Sequence, residues 1–159
     1  YTTPLTASDY IIGYALPILP IAVAQSVICY GASVLLGLRV TVNLLYAVLF
    51  ILPVSLFYIA VGLLCGSVLS VKQAGSICGA LFTNLSAWLS GTWFDLELVG
   101  GVFRRIAYAL PFVHAVELER AALSGDFPNI LPHLLWVMGY AAVAMVIAVA
   151  LFLRQMKRQ

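Results

Sequence analysis

Long apolar runs, rather than an alternation of apolar and polar positions, dominate this sequence. A bilayer core about 30 Å thick is crossed by roughly 20 residues of helix. Backbone groups in hydrocarbon have no water to bond, so helix is the expected conformation of such runs. We predict a single all-α transmembrane domain over residues 1–159. Its four transmembrane helices are predicted near residues 10–38, 44–69, 73–93 and 131–153.

The links between these helices predict their order in the membrane. Residues 39–43 and 70–73 are short connections, so the first three helices should form an antiparallel up-down-up set. Residues 94–130 form a much longer connection that remains rich in apolar side chains. We expect this connection to fold into two short re-entrant or interfacial helices at the outer side.

The second of these short helices is predicted over residues 112–124, with Gly125 as its C-cap. Four residues of this outer region are candidates for a functional role: Pro111, His114, Glu117 and Arg120. Glu117 and Arg120 are three positions apart and therefore placed to form an ion pair.

Composition supports a membrane location and excludes several classes of protein. Apolar residues make up 64% of the chain and charged residues 9%, against about 25% in soluble domains. The net charge of +2 is too small to indicate a nucleic-acid partner. Cys29, Cys65 and Cys78 each lie in an apolar stretch, form no CxxC motif, and are interpreted as small packing residues.

The basic C-terminus indicates the orientation. Arg154, Lys157 and Arg158 directly follow the last apolar run, a pattern typical of the cytoplasmic side. We therefore expect a multi-pass protein of the cell inner (plasma) membrane with a cytoplasmic C-terminus. Four crossings would place the N-terminus on the same side.

No catalytic, metal-binding or phosphate-binding motif is present in the sequence, so we predict that the chain is not an enzyme. His114 and His133 are interpreted as structural residues. The near-neighbour acids, Asp95 with Glu97 and Glu117 with Glu119, are interpreted as solvated charges at the outer interface; the alternative is attraction of cations at an entrance. No charged residue lies deep in a predicted helix, which argues against a self-contained ion-coupled transporter. The energy for any transport should therefore come from a partner.

The third predicted helix carries a stripe of small and hydroxyl-bearing residues. Ser76, Gly79, Thr83, Ser86 and Ser90 recur at steps of three and four, which places them on one face of an α-helix. Small residues allow helices in lipid to approach closely and to form hydrogen bonds with each other. Two interpretations stay open: a packing seam within or between subunits, or the lining of a substrate path at a dimer axis.

Four segments in a fixed order resemble the permeases of ABC exporters of the type-2 superfamily. They are YTTPLTASDYIIG (1–13), GLLCGSVL (62–69), LSGTWFDLE (89–97) and ALPFVHAVELERA (109–121). The sequence departs from the family pattern at Asp95, often proline, and at residues 112–114, often Leu-Thr-Tyr. These departures leave the substrate class open.

The resemblance implies that the chain is the C-terminal portion of a permease, from the third to the sixth of six helices. It implies a second permease subunit, identical or different, and ATP-binding cassette subunits that hydrolyse ATP, so that the permease binds no cofactor directly. The outer pieces at 94–130 would cap the path. Contact with the ATPase subunit is implied for Thr2, Thr3, Pro4, Leu5, Thr6 and Ser8.

An alternative interpretation is a small four-helix membrane scaffold or assembly protein without transport activity. Such a protein would need no ATPase partner, so a co-purifying ATPase distinguishes the two interpretations.

Overall fold

The computed structural model describes residues 7–156 of the chain, and these residues are helical with short connections. The helices in chain order are α1 (Ala7–Leu35), α2 (Val42–Val68), α3 (Val71–Ser76), a π-helical segment (Ile77–Phe82), α4 (Thr83–Leu89), α5 (Leu96–Val99), α6 (Gly101–Ala109), α7 (Pro111–Ser124) and α8 (Phe127–Met156). The predicted all-α class is confirmed for this part of the chain.

Three helices of the described chain are long and apolar enough to cross a membrane: Ile11–Leu35, Val42–Val68 and Phe127–Arg154. They correspond to the first, second and fourth predicted crossings. Helices α2 and α8 lie side by side and run in the same direction. Tyr46 and Phe127 contact each other edge to face near the two N-terminal ends, with ring centroids 5.3 Å apart.

The third predicted crossing is a helix interrupted in the middle. Helices α3 and α4 and the π-helical segment between them follow one another without a break, and we refer to the three together as the interrupted helix. It begins at Val71, two residues before the predicted start, because Ser70 forms a capping box. Its hydroxyl accepts from the Gln73 amide, and the Gln73 side chain accepts from the Ser70 amide. The S-x-x-Q spacing is visible in the sequence.

The long connection contains three short helices, α5, α6 and α7, where two were predicted. Gly100 and Gly101 separate the first two, and both have positive φ angles, of 60° and 58°. Glycine adopts such angles without the steric cost that other residues incur. The predicted C-cap at Gly125 is confirmed, with a φ angle of 77°. A Cβ added at this position would lie only 2.8 Å from the side-chain nitrogen Nδ2 of Asn43.

Helix α7 extends from the start of α2 and α8 to roughly their midpoints. At its C-terminal end, the Leu123 carbonyl accepts from Asn43, the second residue of α2. Just before its N-terminal end, the Ala109 carbonyl accepts from the Tyr140 hydroxyl at 2.7 Å. Tyr140 lies roughly 20 Å along α8, at 1.5 Å per residue. The α6–α7 pair therefore reaches deep between the long helices.

Two apolar clusters hold α7 in place. Near its N-terminal end, Phe112 and Val113 pack with Phe57 of α2 and Val137 of α8. Nearer its C-terminal end, Leu118 belongs to a cluster that also contains Ala47, Ala121, Ala122 and Ile130. These contacts make α7 the most buried of the short helices.

Replacing Leu118 with alanine should destabilise the protein markedly. Leu118 is 0% exposed, so the change leaves a cavity, and the free energy of unfolding should fall by about 2–5 kcal/mol. The measurement is an unfolding titration with a denaturing detergent. Leu98→Ala is the matched control, because Leu98 is 86% exposed and its truncation opens no cavity. Equal losses in the two variants would contradict the central position of α7.

Candidate substrate path and outer helix pair

The interrupted helix divides the predicted small-residue stripe into two parts. Ser76, Gly79 and Thr83 are exposed, whereas Ser86 and Ser90 are buried against the rest of the chain. The five residues therefore do not share one free face, contrary to the prediction. Their role in lining a path stays a prediction.

The π-helical segment explains this division. At 3.6 residues per turn the five residues would share one face, but π-helical turns close with i→i+5 hydrogen bonds and hold more residues. Each π turn therefore rotates later residues relative to earlier ones. Gly79 lies inside the π segment, with Ser76 before it and Ser86 after it.

The buried part of the stripe borders a cavity of about 450 Å³ between the interrupted helix, α2 and α7. Ser86 and Ser90 contribute hydroxyl groups to it, as do Thr92 and, from the exposed part of the stripe, Thr83. Ser86 donates to the Phe82 carbonyl at 2.7 Å, and the Ser90 and Thr92 hydroxyls lie 2.6 Å apart. These hydroxyls have partners within the chain, so Ser86 and Ser90 face the chain's own helices rather than a free surface.

The four residues predicted for the outer region, Pro111, His114, Glu117 and Arg120, all lie on α7 but have different surroundings. Pro111 begins the helix, where its missing N–H leaves no bond unmade. Glu117 and Arg120 form the predicted ion pair, with a distance of 2.8 Å between Oε1 and Nη1. Arg120 also donates to the Gly91 carbonyl at 3.4 Å, which ties α7 to the turn after α4.

His114 is buried and bonded to two other segments. Its Nδ1 lies 2.9 Å from Nδ1 of His133 on α8, and its Nε2 lies 3.0 Å from the Tyr108 carbonyl on α6. Its ring stacks on Trp136, with centroids 4.8 Å apart and an interplanar angle of 12°. The pairing of His114 with His133 was not predicted, because no sequence rule brings residues 19 positions apart into contact.

Glu119 is a partly buried acid, contrary to its interpretation as a solvated charge. Its Oε2 accepts from the Tyr30 hydroxyl of α1 at 2.9 Å. Its Oε1 is buried and has no hydrogen-bond partner among the described residues. Burial raises the pKa of Glu119 to about 7, although the bond from Tyr30 opposes this shift. The carboxyl group therefore changes its charge near neutral pH.

A larger cleft of about 930 Å³ lies between α1, α2 and α8. Its walls are mostly apolar, and Gln25, Ser55 and Tyr58 are among the polar residues that line it. The volume falls in the range of small-molecule sites, about 300–1,000 Å³.

Comparison with known proteins identifies the family to which this architecture belongs. The sequence model of one family, described as ABC-2 type transporter, matches residues 1–123. The chain belongs to this family. No curated protein and no solved structure matches the chain significantly.

Membership in the ABC-2 type transporter family assigns the chain at a coarse level. It is a permease component of an ABC transporter and a membrane protein with several apolar helices. The membrane domain of this family is not itself catalytic, and the family associates with ATP-binding subunits. The residues that the resemblance assigned to the ATPase contact, Thr2 to Thr6, lie outside the described residues, as does the side chain of Ser8.

Glu119 should make the stability of this ABC-2 permease depend on pH. Its pKa of about 7 exceeds the ordinary 4.5, so the folded chain binds more protons than the unfolded chain between these values. The stability should fall as the pH rises from 5 to 8, by about 2 kcal/mol. Glu119→Gln should abolish most of this fall, as measured by thermal unfolding at several pH values.

Glu117→Gln provides the matched control for this titration. Glu117 lies on the same helix but is paired with Arg120 near the surface. Its removal should leave the pH profile of the wild type unchanged. A Glu119→Gln profile as steep as that of the wild type would show that another group governs the pH dependence.

Proposed function

We propose that this chain is the membrane-spanning permease subunit of an ATP-driven ABC exporter, with the substrate path between two permease subunits. One observation carries the proposal: in a chain of the ABC-2 family, the interrupted helix leaves small residues exposed at Ser76, Gly79 and Thr83. A small-residue surface allows a second helix to approach closely in lipid. The exposed half of the stripe is therefore the proposed contact between subunits and the wall of the path.

In this proposal the interrupted helix also crosses the membrane, as the third of four crossings in chain order. Its residues run from Val71 to Leu89, which gives a helix roughly 27 Å long. This length is close to the thickness of a bilayer core, about 30 Å. Lys72, near its start, would remain at the cytoplasmic surface together with the basic C-terminus.

The α6–α7 pair serves as a re-entrant cap at the outer side. Support comes from the bond between Tyr140 and the Ala109 carbonyl, which holds the tip of the pair near the middle of α8. In a bilayer, non-spanning backbone at this depth is tolerated only where protein surrounds it. The burial of Phe112, Val113 and Leu118 meets that condition.

The energy for export comes from ATP bound to a partner subunit. Support comes from membership in the ABC-2 family, whose membrane components associate with ATP-binding subunits. The ATPase contact is proposed for the segment from Thr2 to Ser8, at the cytoplasmic side of the inner membrane.

Introducing leucine at Gly79 should prevent pairing of the permeases without unfolding the subunit. A Cβ added at Gly79 meets no atom within 4 Å in the described chain, and Gly79 is exposed, so we expect a larger side chain there to extend away from its own subunit. Gly139→Leu is the matched control, since Gly139 on α8 is equally open. The oligomeric state in mild detergent should change only in Gly79→Leu. A normal dimer in both variants would count against the proposed contact.

Single cysteines should locate the same contact in the membrane. In a background without Cys29, Cys65 and Cys78, cysteine at Ser76 or Thr83 should crosslink between subunits under oxidation. Cysteine at Leu81 or Leu85, which are exposed on the same helix, should crosslink far less. Equal crosslinking at all four positions would remove the support for a specific face.

The full-length protein, purified gently from its native membrane, should carry an ATPase subunit. The expected result is vanadate-sensitive ATP hydrolysis in the purified complex. A clean permease without any nucleotide-hydrolysing partner would contradict the exporter and would favour a scaffold role.

A further inference from the structure

His114 and His133 form a contact at which three helices meet. The two Nδ1 atoms are 2.9 Å apart, and the other ring nitrogen of His114 is bonded to the Tyr108 carbonyl at the end of α6. Trp136 covers one face of the His114 ring. The contact thus joins α6, α7 and α8 close to the tip of the outer helix pair.

The chemistry of the partners fixes where the protons lie. A carbonyl oxygen only accepts, so Nε2 of His114 carries a hydrogen. When His114 is neutral, its Nδ1 is a bare acceptor, and Nδ1 of His133 donates to it. One added proton can occupy the remaining nitrogen of His133 and leave this bond intact. A second added proton can bind only at Nδ1 of His114. The N–H group formed there would then face the N–H group at Nδ1 of His133.

We propose that His114 and His133 are a proton-operated latch, which holds α7 on α8 with at most one positive charge and opens when a second proton binds. The displaced element would be the N-terminal part of α7, together with the Ala109–Tyr140 bond at the tip of the pair. This inference concerns the outer helix pair alone and does not depend on the substrate or on the energy source.

The groups around the latch offset a second charge on it only in part. From α6, Tyr108 presents its carbonyl, and Arg104 lies 5.6 Å from the centre of the Tyr108 ring and is paired with Glu97. From α7, the acid that acts on His114 is Glu117, which is already paired with Arg120. From α8, the facing group is His133 itself.

Burial lowers the pKa of His114 from its ordinary value, and the charge of His133 lowers it further. The Tyr108 carbonyl and Glu117 act in the opposite direction, with a smaller combined effect. The pKa of His114 is lower in the closed form than in the open form, so binding of a proton favours the open form. Above about pH 6.5 His114 is neutral in both forms, and the closed contact keeps its full stability. It weakens as the pH falls below that value.

Hydrogen exchange on the full-length permease in lipid nanodiscs tests the latch. The amides of residues 115–118 bond to carbonyls in the first turn of α7 and should report opening at its N-terminal end. After correction for intrinsic exchange, their opening constant should rise by up to about tenfold per pH unit below pH 6.5. The amides of residues 119–123, nearer the other end of α7, serve as the internal reference.

His133→Asn is the matched variant for this experiment. The asparagine amide can donate to a neutral His114, or turn and offer its oxygen to a protonated one, so the conflict disappears. Exchange of residues 115–118 should then depend much less on pH than in the wild type. Equal pH dependence in the two proteins, or none in the wild type, would overturn the latch.

A measurement on the wild-type side chains covers the case in which His133→Asn fails to fold. The His114 ring on α7 covers one face of Trp136 on α8, so opening of the latch separates the two rings and changes the surroundings of the indole. The emission of Trp136, taken as the difference from Trp136→Phe, should change over the same pH range in which exchange accelerates. Faster exchange without a change in this emission, or a change in emission without faster exchange, would overturn the proposal.

Discussion

The burial of α7 between α2 and α8 is the interaction on which the rest of this fold depends. Leu118 and Val113 contribute side chains that are almost completely buried, and the two apolar clusters of the chain meet along this one helix. A helix of 14 residues is too short to cross a bilayer, so in the proposed re-entrant position only contact with protein can hold it. In turn, α7 fixes the positions of α6, of the turn after α4, and of the C-terminal part of α1, which contains Tyr30.

The polar groups of the outer helix pair have partners supplied by other helices. Glu119 is bonded to Tyr30 of α1, His114 to His133 of α8, and Arg120 to the backbone after α4. Polar groups away from water are costly unless they are hydrogen-bonded, so these contacts select one arrangement of the helices. They also make that arrangement sensitive to protons, since both Glu119 and His114 have shifted pKa values.

The interrupted helix shows where local patterns stop being sufficient. Its existence follows from the apolar run, and its first residue follows from the capping box at Ser70. The stripe of small residues was also visible, but its geometry was wrong, because the π-helical segment changes the number of residues per turn. The amino acids from Ile77 to Phe82 carry no recognised signal for this change. Consequently Gly79 is free for a partner while Ser86 packs inside the chain.

The sequence by itself determined the all-α class, the three long apolar helices, the C-cap at Gly125, the Glu117–Arg120 pair and the ABC-2 resemblance. Each of these depends on residues close together in the chain or on composition, where propensity and hydrophobicity act directly. Only the tertiary structure decided that α7 is a core element, that Glu119 is buried, and that His114 meets His133. Those outcomes depend on which helices become neighbours, and the choice of neighbours is made by packing between segments that are distant in the chain.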